Sequence, residues 1–250
     1  MSIKSLSKNL VRTLVTSDIG WKVISPLAKA GISMNKIRTS ELKKKAKEED
    51  NTRHLFKEMK VLHGPFKGMK YPSFKSVGST LYSKLVGSYE WEIHAVIESY
   101  CTRDYKEIID VGCAEGYYAV GLAMRLPNAK IYAYDAKPEA QTLCKEMAML
   151  NGVSDKVMVH GFLTPEELRK FPFTKGLIIC DCEGFEKMLF TKENVSSLKS
   201  VDLLIEAHDF IDITISTYLT DLFSPTHNIQ VIKSIDDIGK AKTYHFKETE

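Results

Sequence analysis

From Lys106 onward, short apolar-rich runs alternate with longer stretches in which apolar residues recur every three or four positions. The short runs suit strands buried on both faces, and the wider spacing suits helices laid over them. This alternation marks a parallel sheet with crossover helices. Strands are expected at 108–111, 130–134, 157–160, 177–180 and 202–207, and helices at 116–125 and 138–150. The second of these helices has Pro138 in its first turn and Asn151-Gly152 to close it, the common asymmetry of helix ends. Thr164, followed by Pro165, Glu166 and Glu167, opens a shorter helix with a capping hydroxyl. Residues 228–232 and 243–246, on either side of a turn at 236–240, predict a terminal antiparallel hairpin. The expected fold is therefore α/β: a Rossmann-like, doubly wound sheet of seven strands, mostly parallel and ending in that C-terminal hairpin.

Before Lys106 the pattern is mainly helical. Residues 4–16 and 40–50 read as helices, and 59–63 with 68–71, around Gly64-Pro65, as a small hairpin. Residues 79–86 and 89–100 read as two more helices split by Gly87-Ser88. The chain divides into a helical N-terminal extension at 1–75 and a sheet domain at 76–250. The extension holds 17 Lys+Arg against 6 Asp+Glu, or +11, so the remainder carries −8 within the overall +3. A basic arm can meet nucleic acid, anionic lipid or a phosphorylated substrate. Residues 41–50 (ELKKKAKEED) nevertheless mix both signs along one helix and equally suit a solvated face.

With 44% hydrophobic and 27% charged residues, the chain can bury a proper core. No run approaches the ~18 apolar residues of a membrane span, and the start, MSIKSLSKNLVRTLV, lacks the apolar core and cleavage site of a signal peptide. Five cysteines, mostly on expected helices or buried strands, fit free thiols in a reducing compartment, so a cytoplasmic location is expected. Cys180 and Cys182 should point the same way from a strand end. With no second cysteine pair or nearby histidine they do not form a zinc site, and no metal is expected.

The first strand runs into Asp110-Val111-Gly112-Cys113-Ala114-Glu115-Gly116-Tyr117. In a doubly wound sheet, ligands bind at the carboxyl ends of the strands. Gly112 permits a left-handed turn, and Gly116 permits close approach to the backbone. A dinucleotide turn needs glycines two and five positions after the first, where this chain has Ala114 and Tyr117. Glu115 would also repel a pyrophosphate. An acidic turn suits a cofactor bearing a positive sulfonium and an ammonium, S-adenosylmethionine. Asp135, at the end of the second strand and followed by Ala136, can accept hydrogen bonds from both ribose hydroxyls, or cap the helix that Pro138 opens. Gly161 and Phe162, after the third strand, are placed to edge and stack an adenine, or form an ordinary loop with a core aromatic.

These features resemble class I methyltransferases, and the later ones resemble the FkbM family. The resemblance is carried by IIDVGCAEGYYAVGLA, YAYDAKPE, IICDCEGFEKMLF and LLIEAHDF. It comprises an acidic glycine turn, an acid after strand two, a D-x-E-G-x-E segment at Asp181, Glu183, Gly184 and Glu186, and a strand ending in E-x-H at Glu206 and His208. It spans Gly64 to the end of strand five and is most specific at D-x-E-G-x-E. Ala114 departs from it, since many methyltransferases have a middle glycine there. The resemblance implies that the entry segment holding Tyr89 and Glu90 closes over the methionine end of the donor, although Ser88 as a helix cap explains that segment equally well. It also implies O-methylation of a hydroxyl on a sugar, glycan or other small molecule.

An alcohol acceptor needs alignment and proton removal. Asp181, Glu183 and His208 follow strands four and five and are the expected catalytic residues; Asp181 is also expected to touch the cofactor. His208 is either the base or a histidine hydrogen-bonded at a strand end, and Glu183 either orients a hydroxyl or caps the following helix. The competing readings are an RNA or protein methyltransferase guided by the basic arm, and a cofactor-binding scaffold without catalysis. Nucleic acid is the less favoured partner, because no Asn/Asp-Pro-Pro-aromatic segment is present to cradle an exocyclic amine. The sequence assigns no oligomeric state.

Overall fold

The computed structural model describes residues 12–236, 239, 240 and 243. It divides into two compact units, Met1–Leu55 and Phe56–Glu250. In the first, residues 12–16 are helical and one 38-residue helix, α1 (Asp18–Leu55), follows with Pro26 in its interior. The expected helix at 40–50 is part of α1, and residues 4–11 of the expected helix at 4–16 lie outside the described residues. No described helix is long and apolar enough to cross a membrane.

The second unit begins at Phe56 rather than at residue 76, because residues 56–75 contribute Phe56, Val61, Phe66, Met69 and Tyr71 to its core. The small hairpin expected there is reduced to one antiparallel bridge between Lys60 and Lys70. Helix α2 (Leu81–Val86) ends at Gly87 in the left-handed conformation. A 3-10 turn (Trp91–Ile93) and α3 (His94–Tyr100) lead to the sheet.

The sheet comprises β1 (Glu107–Val111), β2 (Lys130–Tyr134), β3 (Val157–His160), β4 (Gly176–Cys180) and β5 (Asp202–Ile205). All pairs are parallel, and the order is β3-β2-β1-β4-β5. Side chains alternate across it. Ile108, Ile131 and Leu177 enter one core with α4 (Tyr117–Arg125) and α5 (Pro138–Leu150). Ile109, Ile178 and Cys180 enter the other with Leu168 of α6 (Pro165–Lys170), Leu189 of α7 (Glu186–Leu189) and Ile215, Leu219 and Phe223 of α8 (Ile215–Phe223). Burial on both faces is why these strands read as apolar runs. Helix α6 starts with the expected cap, Thr164 and Glu167 bonding reciprocally across the first turn.

Among the described residues the sheet has five strands, where seven were expected. Residues 228–232, expected as a strand, are irregular, and Thr243 is helical; 244–246 lie outside the described residues. The expected turn at 236–240 carries a helical hydrogen bond from Lys240 N to Asp236 O. The alternation of Ile229 and Val231 finds no apolar layer to enter, and Val231 is 78% exposed. Period-two patterning without a surface to cover does not hold a strand.

Candidate functional site

The switch point of the strand order lies between β1 and β4, and the expected residues gather at their carboxyl ends. After β1, Gly112 turns with φ +78°, and a Cβ there would stand 1.7 Å from the Asp181 carbonyl oxygen, so only glycine lets the turns after β1 and β4 meet. Gly112 N and Cys113 N donate to Tyr134 O, tying the turn to β2. Gly116, at φ +98°, is the N-cap of α4. Ala114 is left-handed as well, at φ +50°.

Asp135 braces this turn. Its Oδ2 accepts from Ala114 N at 3.0 Å and its Oδ1 from Lys137 N at 2.8 Å. Each carboxylate oxygen can accept a further bond, and the residue is half-buried, next to exposed Ala136. Gly161 is exposed there too, and Phe162, 50% exposed, meets Phe185 edge-on at 4.8 Å. Asp135 N donates to His160 O, so the ends of β2, β3 and β4 adjoin through this bond and the Phe162–Phe185 contact.

Three expected residues are buried behind this turn. The Glu115 carboxylate is buried, 2.5 Å from Lys84 Nζ, and also accepts from Ser76 Oγ and Val77 N. Its charge is neutralised, so it supplies no repulsion toward a phosphate. Buried Tyr117 packs edge-on against Phe66, Tyr89 and Tyr118, and Cys113 is likewise buried. Tyr89 also lies 5.0 Å beneath the Lys84 ammonium. Glu90, left-handed at φ +47°, accepts from the Tyr118 hydroxyl. Lys84 could not be found from spacing, because its partner is 31 residues away.

After β4 and β5 the site becomes a cluster of acids around one histidine. Buried His208 places Nδ1 2.5 Å from Oε1 of Glu186, whose side chain is fully buried. Nε2 lies 3.3 Å from Asp181 Oδ1 and 3.7 Å from Glu183 Oε2. Asp181 Oδ1 is itself buried without a hydrogen bond. Burial lowers the His208 pKa, but the Glu186 bond and the charges of Asp181 and Glu206 outweigh it and raise it overall. Burial pushes Asp181 up to about 6, helped by Glu90 and Glu183 and opposed by His208. Asp110, buried at the end of β1 with Oδ2 unpaired, is raised to about 7 by burial and by Asp181, Asp135 and Glu90. Glu206 is raised to about 7 by desolvation among these acids and by the charges of Asp181 and Glu90. Carboxylates that raise one another in this way form a field favourable to a cation.

A family model described as ribosomal protein L11 methyltransferase (PrmA) matches residues 94–181. The segment is that of a class I S-adenosylmethionine-dependent methyltransferase. Among curated relatives, the release factor glutamine methyltransferase of Deinococcus radiodurans is 36% identical over 74 residues, 30% of this chain and 26% of that protein. That of Flavobacterium psychrophilum is 31% identical over 81 residues, 32% of this chain and 28% of that protein. The chain thus matches little more than a quarter of each relative's length. Among solved structures, cofactor-bound Rv0187 from MTB is 12% identical with a TM-score of 0.43, covering 57% of this chain and 70% of that one. A precorrin 8w decarboxylase from Methanobacterium thermoautotrophicum is 20% identical with a TM-score of 0.40, covering 54% and 70%. S-adenosylmethionine is the cofactor of this class, and the residues present fit it: the unpaired oxygens of Asp110 and Asp181 suit a cationic donor end, and the Asp135 carboxylate can accept from ribose hydroxyls.

Proposed function

We propose that this protein methylates a hydroxyl on a sugar, glycan or other small molecule. One observation carries the reading. Asp181, Glu183 and the Glu186-braced His208 stand at the same sheet end as the Asp110–Asp135 turn, which supports reading the first group as handling the acceptor and the second as handling the cofactor. The FkbM resemblance, which rests on the segments after β4 and β5, supports the hydroxyl.

S-adenosylmethionine supplies a methyl group on a positively charged sulfur. Asp135, with Ala136, Gly161 and Phe162, holds the adenosine end. Asp110, Glu90 and Asp181 supply the negative field for the methionine end, which Tyr89 borders. Gly112, Cys113, Ala114 and Gly116 shape the turn, while Glu115 and Tyr117 anchor it from behind. On the acceptor side, Asp181 and His208 orient the hydroxyl. Glu183 is open to solvent and gives the departing proton a route to water. Orientation of this kind supplies much of the rate of a displacement at an activated carbon.

A protein acceptor is the second reading, favoured by the names of the curated relatives, and the basic N-terminal segment would suit an RNA or acidic protein partner. Calorimetric titration with S-adenosylhomocysteine tests the cofactor site. Asp135→Ala should weaken binding by about tenfold to a hundredfold, and equal binding by the variant rejects the ribose assignment. Labelled methyl groups should then enter the small-molecule fraction of an extract; label in protein or RNA instead selects the second reading.

A further inference from the structure

We infer that Asp181, Glu206 and His208 hold a divalent transition-metal ion and that the acceptor hydroxyl binds to it, the second part resting on the methyl-transfer reading above. One ligand atom from each lies within 4.8 Å of the others. Ligands about 2.0–2.2 Å from an ion stand roughly 3–4 Å apart, so a small side-chain rotation closes the set.

Two observations besides the clustering point to a ligand. His208 is 3% exposed, and the Glu186 carboxylate takes its Nδ1, so the ring is held with Nε2 directed at Asp181. A buried carboxylate behind the far nitrogen is the arrangement that orients and strengthens histidine ligands. Nε2 makes no hydrogen bond to either nearby acid, and Asp181 Oδ1 is buried with none. A buried carboxylate oxygen left without a hydrogen bond calls for a partner, and a dication between Asp181 and His208 Nε2, 3.3 Å away, supplies it while balancing two carboxylates. One imidazole with two carboxylates suits Mn2+ or a similar ion better than Mg2+ or Ca2+, which favour all-oxygen sets.

Binding to the ion makes the acceptor hydroxyl more acidic. Its O–H bond breaks, the proton passes to the solvent-open Glu183 carboxylate and on to water, and the oxygen keeps the electron pair that forms the new bond to the methyl carbon. The sulfonium sulfur takes back the electrons of the breaking S–CH3 bond. His208 then serves as a ligand, and Glu183 carries the proton.

The test is Mn2+ alone, titrated into the full chain and followed by loss of the free-ion EPR signal, with S-adenosylhomocysteine binding measured on the same samples. One ion should bind per chain, and Glu206→Gln, an exposed position that should not disturb folding, should weaken it at least about tenfold, as should His208→Asn. Methyl transfer should rise with added Mn2+. No Mn2+ uptake by ~1 mM, or uptake unchanged in both variants, overturns the site even if S-adenosylhomocysteine still binds. Specific Mn2+ uptake without S-adenosylhomocysteine binding keeps the ion site but overturns the methyl-transfer reading and the ion's role in it.

Discussion

Ala114 occupies a left-handed position, φ +50°, that side chains other than glycine rarely adopt. Its amide nevertheless donates to Asp135, so the strained residue helps to fix the proposed ribose-binding carboxylate. Holding alanine there costs about 1–2 kcal/mol, part of which glycine returns through its greater freedom in the unfolded chain. Ala114→Gly should therefore stabilise the protein by about 0.5–1 kcal/mol, seen as a melting temperature higher by roughly 1–4 °C. A melting temperature that falls would mean the turn is not strained as described. Glu183 is also left-handed, at φ +55°, immediately before Gly184. Both strained residues lie in turns at the carboxyl end of the sheet, where backbone strain commonly marks function.

Helix α2 reaches the turn after β1 through a buried ion pair, Lys84 to Glu115. Breaking one side of a buried ion pair leaves an uncompensated charge, at a cost of about 3–5 kcal/mol. Lys84→Met should lose stability on that scale in urea denaturation, and adding Glu115→Gln should restore most of it. A loss below about 1 kcal/mol from Lys84→Met alone would show that water already reaches the pair. This contact also marks the limit of what the sequence discloses. The strands and α5 were legible because a doubly covered sheet forces continuous apolar runs, and because Pro138 and Asn151-Gly152 punctuate the chain. Asp181, Glu183 and His208 were legible because strand ends are where side chains converge. Long-range pairing leaves no local trace, so Glu115 read as a ligand-facing charge, and Glu186 gave no sign that it braces His208. The strand expected at 228–232 is absent for the opposite reason: its local pattern is real, but Val231 is exposed.

At the scale of the whole molecule, the acids at the sheet's carboxyl end are gathered at a cost to the folded state. The pKa of Asp110 is raised to about 7, above the ordinary carboxylate value near ~3.9. The stability it contributes is complete below its unfolded pKa and is lost as pH rises through 7. Relative to Asp110→Asn, the ligand-free wild type should therefore lose stability between pH 5 and pH 8, and a difference that stays flat would place Asp110 outside the acid field. A cationic cofactor reverses this trend, because it binds best when Asp110, Asp181 and Glu206 are ionised. S-adenosylmethionine and S-adenosylhomocysteine share the ammonium and the ribose, and only the former carries the sulfonium. The affinity of S-adenosylmethionine should accordingly climb more steeply from pH 5.5 to pH 8 in parallel calorimetric titrations. Identical slopes would mean that the acids answer the ammonium alone and that the methyl-bearing sulfur lies elsewhere.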